Sequence, residues 1–266
     1  MTRTPASSLI AVDVGNTRVK LGEFKLPLSG DLPLPERTGA FGAEWTDADL
    51  DGWLAGDANR YTWAISSVNR PSSERLLAWL AERGARRVRV LGHRDLPVAV
   101  EVQVPEEVGL DRLVDVVAAN RLRAAGEPAI VIDHGSAITV NLISAAGAFV
   151  GGAILPGVRL AARALHDFTD KLPYVDVREV PTGRGTDTEG SISFGLYWGA
   201  VGAAREVVAR LTPESPHAAI FVTGGGGADL AALLAESGER PTLYVQHLTL
   251  SGIACSAALL AAKEAT

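Results

Sequence analysis

From Leu9 to Val12 the chain is continuously apolar; after Asp13, Val14, Gly15, Asn16 and Thr17, the apolar Val19, Leu21 and Phe24 are interleaved with Arg18, Lys20 and Glu23. A short apolar run, a turn and then a period of two predict a buried strand over Leu9–Val14 and a hairpin partner over Arg18–Phe24. A weaker third strand is expected near Glu36–Gly42, after the Pro- and Gly-punctuated "KLPLSGDLPLPERTG", and a short helix over Asp47–Ala55. "YTWAISSV" (61–68) reads as a strand. "NRPSSERLLAWLAERG" (69–84) supplies turn residues and then a helical stripe at Leu76, Leu77 and Leu80, and "RRVRVL" (86–91) is a further strand. After Pro105 the helical period runs through "EEVGLDRLVDVVAANRLRAAG", with Gly126 marking its expected end.

The pattern then restarts. "LIAVDVGNTRVKLG" and "AIVIDHGSAITVNL" share one plan: apolar strand, Asp, one residue, Gly, a small polar side chain, and a second alternating strand. A third strand follows in each case. In the second half a helix begins at Val158, a polar excursion spans Thr169–Thr186, and a long glycine-bearing helix covers Glu189–Leu211. "HAAIFVTGGGG" reads as a strand and glycine loop, "ADLAALLAESG" as a helix, "TLYVQHL" as a strand, and Leu250–Ala265 as a closing helix. This predicts an α/β protein of two similar lobes, residues 1–124 and 125–266. It argues against a barrel of eight strand–helix units.

A chain of 266 residues is long enough for two such lobes. Its formal net charge of -6 points to no basic face for nucleic acid. The single cysteine, Cys255, cannot close an internal disulfide and sits in an apolar helical pattern, which suits a reducing compartment and a packing role. No stretch reaches 18 uninterrupted apolar residues and no secretory leader is apparent, so the expectation is a cytoplasmic protein without a membrane span.

The two corners carry the candidate chemistry. A glycine two residues after a strand-end Asp permits close approach by a ligand. Asp13 can organise a magnesium ion beside nucleotide phosphates, Asn16 and Thr17 can contact phosphate oxygens, and Lys20 can neutralise charge. The same residues also make an ordinary solvent-exposed turn. Asp133, Gly135 and Ser136 repeat the arrangement, so two facing corners could grip a polyanion in a cleft. Neither is a Walker loop, and no G-x-G-x-x-G follows the first strand. "TGGGG" (223–227) either gives backbone room for an adenine or ribose or is a flexible turn. Asp111 and Arg112, at the head of an apolar helix, read either as a helix-start acid with a solvated neighbour or as a general base with an anion-binding partner.

In order along nearly the whole chain, "DVGNTRVK" (13–20), "PEEVGLDR" (105–112), "DHGSAITV" (133–140), "GGAILPG" (151–157), "LHDFTDKLP" (165–173), "GRGTDTEGSISFGLYWGAVG" (183–202) and "TGGGG" (223–227) resemble the type III pantothenate kinases. That family is a branch of the acetate and sugar kinase, Hsp70 and actin superfamily. The resemblance implies two ribonuclease H-like lobes of the actin-like ATPase fold with the active site in the cleft between them. It implies ATP-dependent phosphorylation of pantothenate to 4′-phosphopantothenate, the first step of coenzyme A biosynthesis. Asp13, Val14, Gly15, Asn16, Thr17, Arg18, Val19 and Lys20 would bind ATP, with Ser136 standing where a Thr is usual. Gly109, Leu110, Asp111 and Arg112 would bind pantothenate, Asp111 accepting the hydroxyl proton, and Thr188 would touch the same substrate, although its hydroxyl also suits a helix cap. Asp133 would hold a monovalent cation, K⁺ or NH₄⁺, while Mg²⁺ would accompany ATP near Asp13. A cytoplasmic homodimer is implied, for which Gly195, Gly199 and Gly202 offer a low-profile face.

Two positions depart from the pattern. His134 replaces a small residue, and strand alternation points it away from Asp133, to pack behind the hairpin; Asn141 stands where an acid is frequent. The rival readings are another small-molecule kinase of the superfamily and a nucleotide-binding regulatory protein without transfer activity.

Overall fold

The computed structural model describes residues 8–236 and 238–264. These residues form two compact units: one contains the chain up to Leu122 together with the segment from His247 onward, and the other runs from Arg123 to Gln246.

The first unit holds β1 (Ser8–Val14), β2 (Arg18–Lys25), β3 (Arg37–Gly42), α1 (Asp47–Trp53), β4 (Tyr61–Ser67), α2 (Arg70–Glu82), β5 (Val88–Val90) and α3 (Leu110–Ala119). Its sheet runs β3-β2-β1-β4-β5, with β2 antiparallel to β1 and β3, and β4 parallel to β1 and β5. Because β1 is central, its side chains from Leu9 to Val14 are all buried, which explains the continuous apolar run. Ile10, Val12, Val14, Val19, Trp63, Ile65, Leu76 and Trp79 form one apolar cluster. Asn69 caps α2 by accepting the Ser72 N–H at 3.1 Å.

The second unit repeats the plan with β6 (Ala129–His134), β7 (Ala137–Ile143), β8 (Phe149–Pro156), α4 (Val158–Asp167), α5 (Thr188–Leu211), β9 (Ala219–Thr223), α6 (Gly227–Ala235) and β10 (Thr242–Tyr244). The order β10-β9-β6-β7-β8 is the first sheet's order with each strand replaced by its counterpart. The internal similarity read from two short segments is therefore a duplicated five-stranded topology.

Two expectations are corrected. Chain position places the closing helix, α7 (Leu248–Glu264), in the lobe of residues 125–266, but it packs on the first unit, so the division is not a single cut at 124/125. Every residue from Leu248 to Ala257 is buried, and the bare Cα of Gly252 lies directly against the Val114 carbonyl of α3. No short apolar stripe on one lobe reveals such a destination, because this half of the helix is buried all round.

The helix expected from Glu106 to Gly126 is also shorter. A 3₁₀ turn at Pro105–Glu107 precedes it, Gly109 caps it, and α3 ends at Ala119. Beyond Ala119 the polar side chains turn to loop carbonyls: Arg121 donates to the Asp31 and Gly30 carbonyls, and Arg123 to those of Glu127 and Ala145. Among the described residues, no helix is long and apolar enough to cross a membrane.

Candidate active site

In the first unit the site residues sit where three elements end together. β1 and β2 join through Gly15, Asn16 and Thr17, with the Gly15 N–H donating to the Arg18 carbonyl at 3.0 Å. Asn16, Thr17 and Arg18 are exposed at the tip. Val14 and Val19 face the core and are essentially fully buried, so only their backbone is available to a ligand. Asp13 and Lys20 are opposed across the hairpin, with Nζ and Oδ2 3.4 Å apart. The carboxylate is buried while the ammonium is about one-third exposed, so Lys20 reaches solvent and offsets the charge of Asp13. β4 leaves the sheet beside this corner, the Val68 N–H donating to the Val14 carbonyl at 3.1 Å.

Val68 also lies near Gly109, where α3 begins. The Asp111 carboxylate folds back over its own first turn, Oδ1 accepting the Arg112 N–H at 2.8 Å. A Cβ on Gly109 would come 2.5 Å from that oxygen, so a side chain there would displace the Asp111 carboxylate from this position. An acid in the first turn also meets the helix dipole favourably. Arg112, next to it, is partly buried, and that burial lowers its pKa despite the opposing charge of Asp111. His93 contributes a support that sequence reasoning missed: Nε2 contacts the Val108 carbonyl at 2.7 Å, just before Gly109. No local motif around His93 signals this, since Val108 lies fifteen residues away.

The second unit builds its corner differently. β6 and β7 are joined by only Gly135 and Ser136, with Asp133 opposite Thr139. The residue facing the Asp is thus neutral, where Lys20 faces Asp13. Ser136 is exposed, and the Gly157 N–H donates to its carbonyl at 3.1 Å. Gly157 must lack a side chain, because a Cβ there would lie 2.5 Å from the Ser136 carbonyl oxygen. The "PG" at the end of β8 is therefore part of the corner. Asp133 Oδ1 lies close to the bare α-carbons of Gly135 and Gly224, the latter at φ +90°.

His134 does not simply pack behind the hairpin: its Nδ1 reaches the Gly226 carbonyl at 2.9 Å. Desolvation lowers its pKa, only partly offset by that hydrogen bond and by the charge of Asp229. Asn141 is fully buried and donates to Thr139 Oγ1 at 3.3 Å, the use that a neutral amide finds at that position. Cys255 is a buried free thiol whose pKa burial pushes up, in keeping with a packing role.

The α5 cap is Asp187 and not Thr188: the Asp187 side chain accepts the Gly190 N–H at 2.7 Å. Thr188 is the first helical residue and lines an open cavity of about 620 Å³ with Leu165, Leu172, Thr186, Asp187 and Ile192. Among the described residues, no group of three or more His, Cys, Asp or Glu gathers as a metal-ligand set, so Asp13 and Asp133 each offer one carboxylate.

The structure thus brings Asp13, Lys20, Gly109, Asp111 and Arg112 to one end of the first unit. Asp133, Ser136 and the glycine turn meet at one end of the second unit, while Thr188 belongs to a separate cavity of that unit. A family model described as type III pantothenate kinase matches residues 9–210. The type III pantothenate kinase of Rhodopirellula baltica is 40% identical over 198 residues, covering 71% of each chain. That of Solibacter usitatus is 32% identical over 258 residues, covering 92% of this chain and 94% of its own. Among solved structures, a protein described as a Baf family transcriptional activator from Campylobacter jejuni superposes with a TM-score of 0.59 at 18% identity, covering 93% of this chain and 96% of that one. MreB 5 of Spiroplasma citri, solved with AMPPNP, gives 0.51 at 9% identity over 98% and 99%. These two likenesses concern the fold, which is that of the actin-like ATPases.

Proposed function

This chain belongs to the type III pantothenate kinase family, and from that premise we infer that it transfers the γ-phosphoryl group of ATP to the primary hydroxyl of pantothenate. The hydroxyl oxygen forms a bond to the γ-phosphorus as the bond to the β,γ-bridging oxygen breaks, leaving ADP and 4′-phosphopantothenate. Asp111 takes the hydroxyl proton. The Arg112 N–H, bonded to Asp111 Oδ1, orients the carboxylate for this. Arg112 holds the pantothenate carboxylate, and Thr188 reaches the same substrate from the cavity at the head of α5.

Asn16, Thr17 and Arg18, exposed at the β1–β2 tip, hold phosphate oxygens together with Lys20 and Ser136, while Gly15, Val14 and Val19 contribute backbone only. Asp13 would hold the Mg²⁺ that accompanies ATP, and Asp133 would hold K⁺ or NH₄⁺; when bound, these ions would supply charge neutralisation on the phosphates. The working form is a cytoplasmic homodimer. Gly195, Gly199 and Gly202 support that part of the reading, since they lie exposed along α5 with nothing within 4 Å of a Cβ at any of them.

The observation that carries the reading is Asp111, whose carboxylate folds back over the start of α3 onto the Arg112 N–H beside the bare Cα of Gly109. The test is mass detection of 4′-phosphopantothenate made from ATP and pantothenate in K⁺ and in Na⁺, with Asp111→Asn alongside. Product is expected in K⁺, with a loss of about 10²–10⁴-fold in kcat for the variant. A folded, ATP-binding protein that makes no product, or an Asn variant as fast as the parent, would overturn it.

A further inference from the structure

We infer that His134 is a positioning residue for the nucleotide: it clamps the glycine turn between β9 and α6 in one shape before ATP arrives. β6 and β9 are parallel neighbours whose last pair is Asp133 opposite Thr223. Beyond that pair β9 leaves the sheet, while His134 ends β6 opposite Ile138 of β7 and bonds a single residue of the glycine turn on its other side. The Gly226 N–H donates to the His134 carbonyl at 3.1 Å, and the His134 ring returns a bond from Nδ1 to the Gly226 carbonyl at 2.9 Å. A carbonyl can only accept, so Nδ1 carries the hydrogen.

The ring lies against the bare Cα of Gly226, where a Cβ would come 2.6 Å from Nδ1. At Gly224 a Cβ would come 2.6 Å from the His134 carbonyl oxygen. His134 therefore fills the inner side of the turn with both its backbone and its ring. The outer side stays open: Gly225 is exposed, with nothing within 4 Å of a Cβ there.

Gly224, Gly225, Gly226 and Gly227 follow one another with no side chain to hold them. Glycine loses more conformational freedom on ordering than any other residue, so a loose turn would charge that entropy against ligand binding. The imidazole removes this cost in advance.

The inference rests on the kinase reading only for the identity of the nucleotide. Its test is amide hydrogen exchange at residues 224–227 of the full chain without ligand, together with calorimetric ATP binding and steady-state kinetics. His134→Ala should speed exchange in the turn, weaken ATP binding and raise the KM for ATP by about tenfold, the cost of one buried hydrogen bond. kcat and the KM for pantothenate should stay within about twofold. His134→Asn, whose amide nitrogen takes the place of Nδ1, should restore slow exchange and ATP affinity, and it serves as the probe should the Ala variant fold poorly. Unchanged exchange, unchanged ATP affinity, or an equal fall in kcat with both KM values would overturn the clamp. A parent protein that binds ATP but makes no 4′-phosphopantothenate would overturn the kinase reading alone, since exchange and calorimetry still decide the clamp.

Discussion

Replacing Gly252 by Ala tests how the closing helix is held and whether the proposed general base depends on it. A Cβ at this position would lie 1.9 Å from the Val114 carbonyl oxygen and 2.7 Å from its carbon. Ordinary contact begins near 3.4 Å, so α7 and α3 would have to separate by roughly 1.5 Å at that point. Neither partner is a flexible side-chain end, because both are helix backbone. Overpacking of this kind costs about 1–3 kcal/mol or more, while Ala in place of Gly in a helix returns about 1 kcal/mol. Separation also loosens Leu113, Val117, Leu248 and Ile253, all buried on the two helices. With backbone on both sides the upper end of that range applies, so the net loss is about 2 kcal/mol, a large share of the roughly 5–15 kcal/mol by which a protein is folded. Denaturant unfolding followed by tryptophan emission measures it well, since Trp45, Trp53, Trp63 and Trp79 of the five tryptophans lie in the first unit. Asp111 sits one turn before Val114 on α3, so the same shift should lower kcat, a misplacement near 1 Å being worth up to about a hundredfold. Gly52→Ala is the control: it is an exposed position in α1 of the same unit, with nothing within 4 Å of a Cβ, and it should gain up to about 1 kcal/mol. A Gly252→Ala variant within about 0.5 kcal/mol of the parent, with unchanged kcat, would refute the reasoning.

Asp187→Ala should cost about 1 kcal/mol by removing the α5 cap and should raise the KM for pantothenate, whereas Asp187→Asn, an equally good cap, should behave as the parent; thermal melting and kinetics of the three proteins decide it. Acid should destabilise the fold through two partly buried histidines. The pKa values of His134 and His247 are both lowered from 6.5 by burial, His247 also by the charge of Lys20. The unfolded chain then binds more protons just below pH 6.5, so their contribution is complete above that pH and is lost as the pH falls through the window beneath it. Melting temperatures at pH 7.5 and 5.5 should differ less in His134→Asn than in the parent, and an undiminished difference in both His134→Asn and His247→Asn would contradict this.

The hairpins, the helix over 69–84 and the repeated corner were legible in the sequence because each is set by local periodicity and turn chemistry. Asp13, Lys20, Asp111 and Asp133 could be singled out for the same reason: a carboxylate at a strand end or helix start beside glycine is a local pattern. Local pattern could not say that Val14 and Val19 turn inward while Asn16 and Thr17 stay exposed, since a hairpin's two faces are distinguished only by what packs on them. Nor could it find the contacts that join distant residues, such as His93 with Val108, Gly157 with Ser136, or His134 with Gly226. Nor could it tell that Gly157 lies against the backbone of Gly135 and Ser136, or Gly226 against the His134 ring, since both neighbours are distant in sequence. The home of α7 shows the same division: its sequence determined that it would be a buried helix, because apolar and small residues fill its first half. Which unit it completes was decided only in three dimensions, where the missing side chain at Gly252 lets its backbone meet α3.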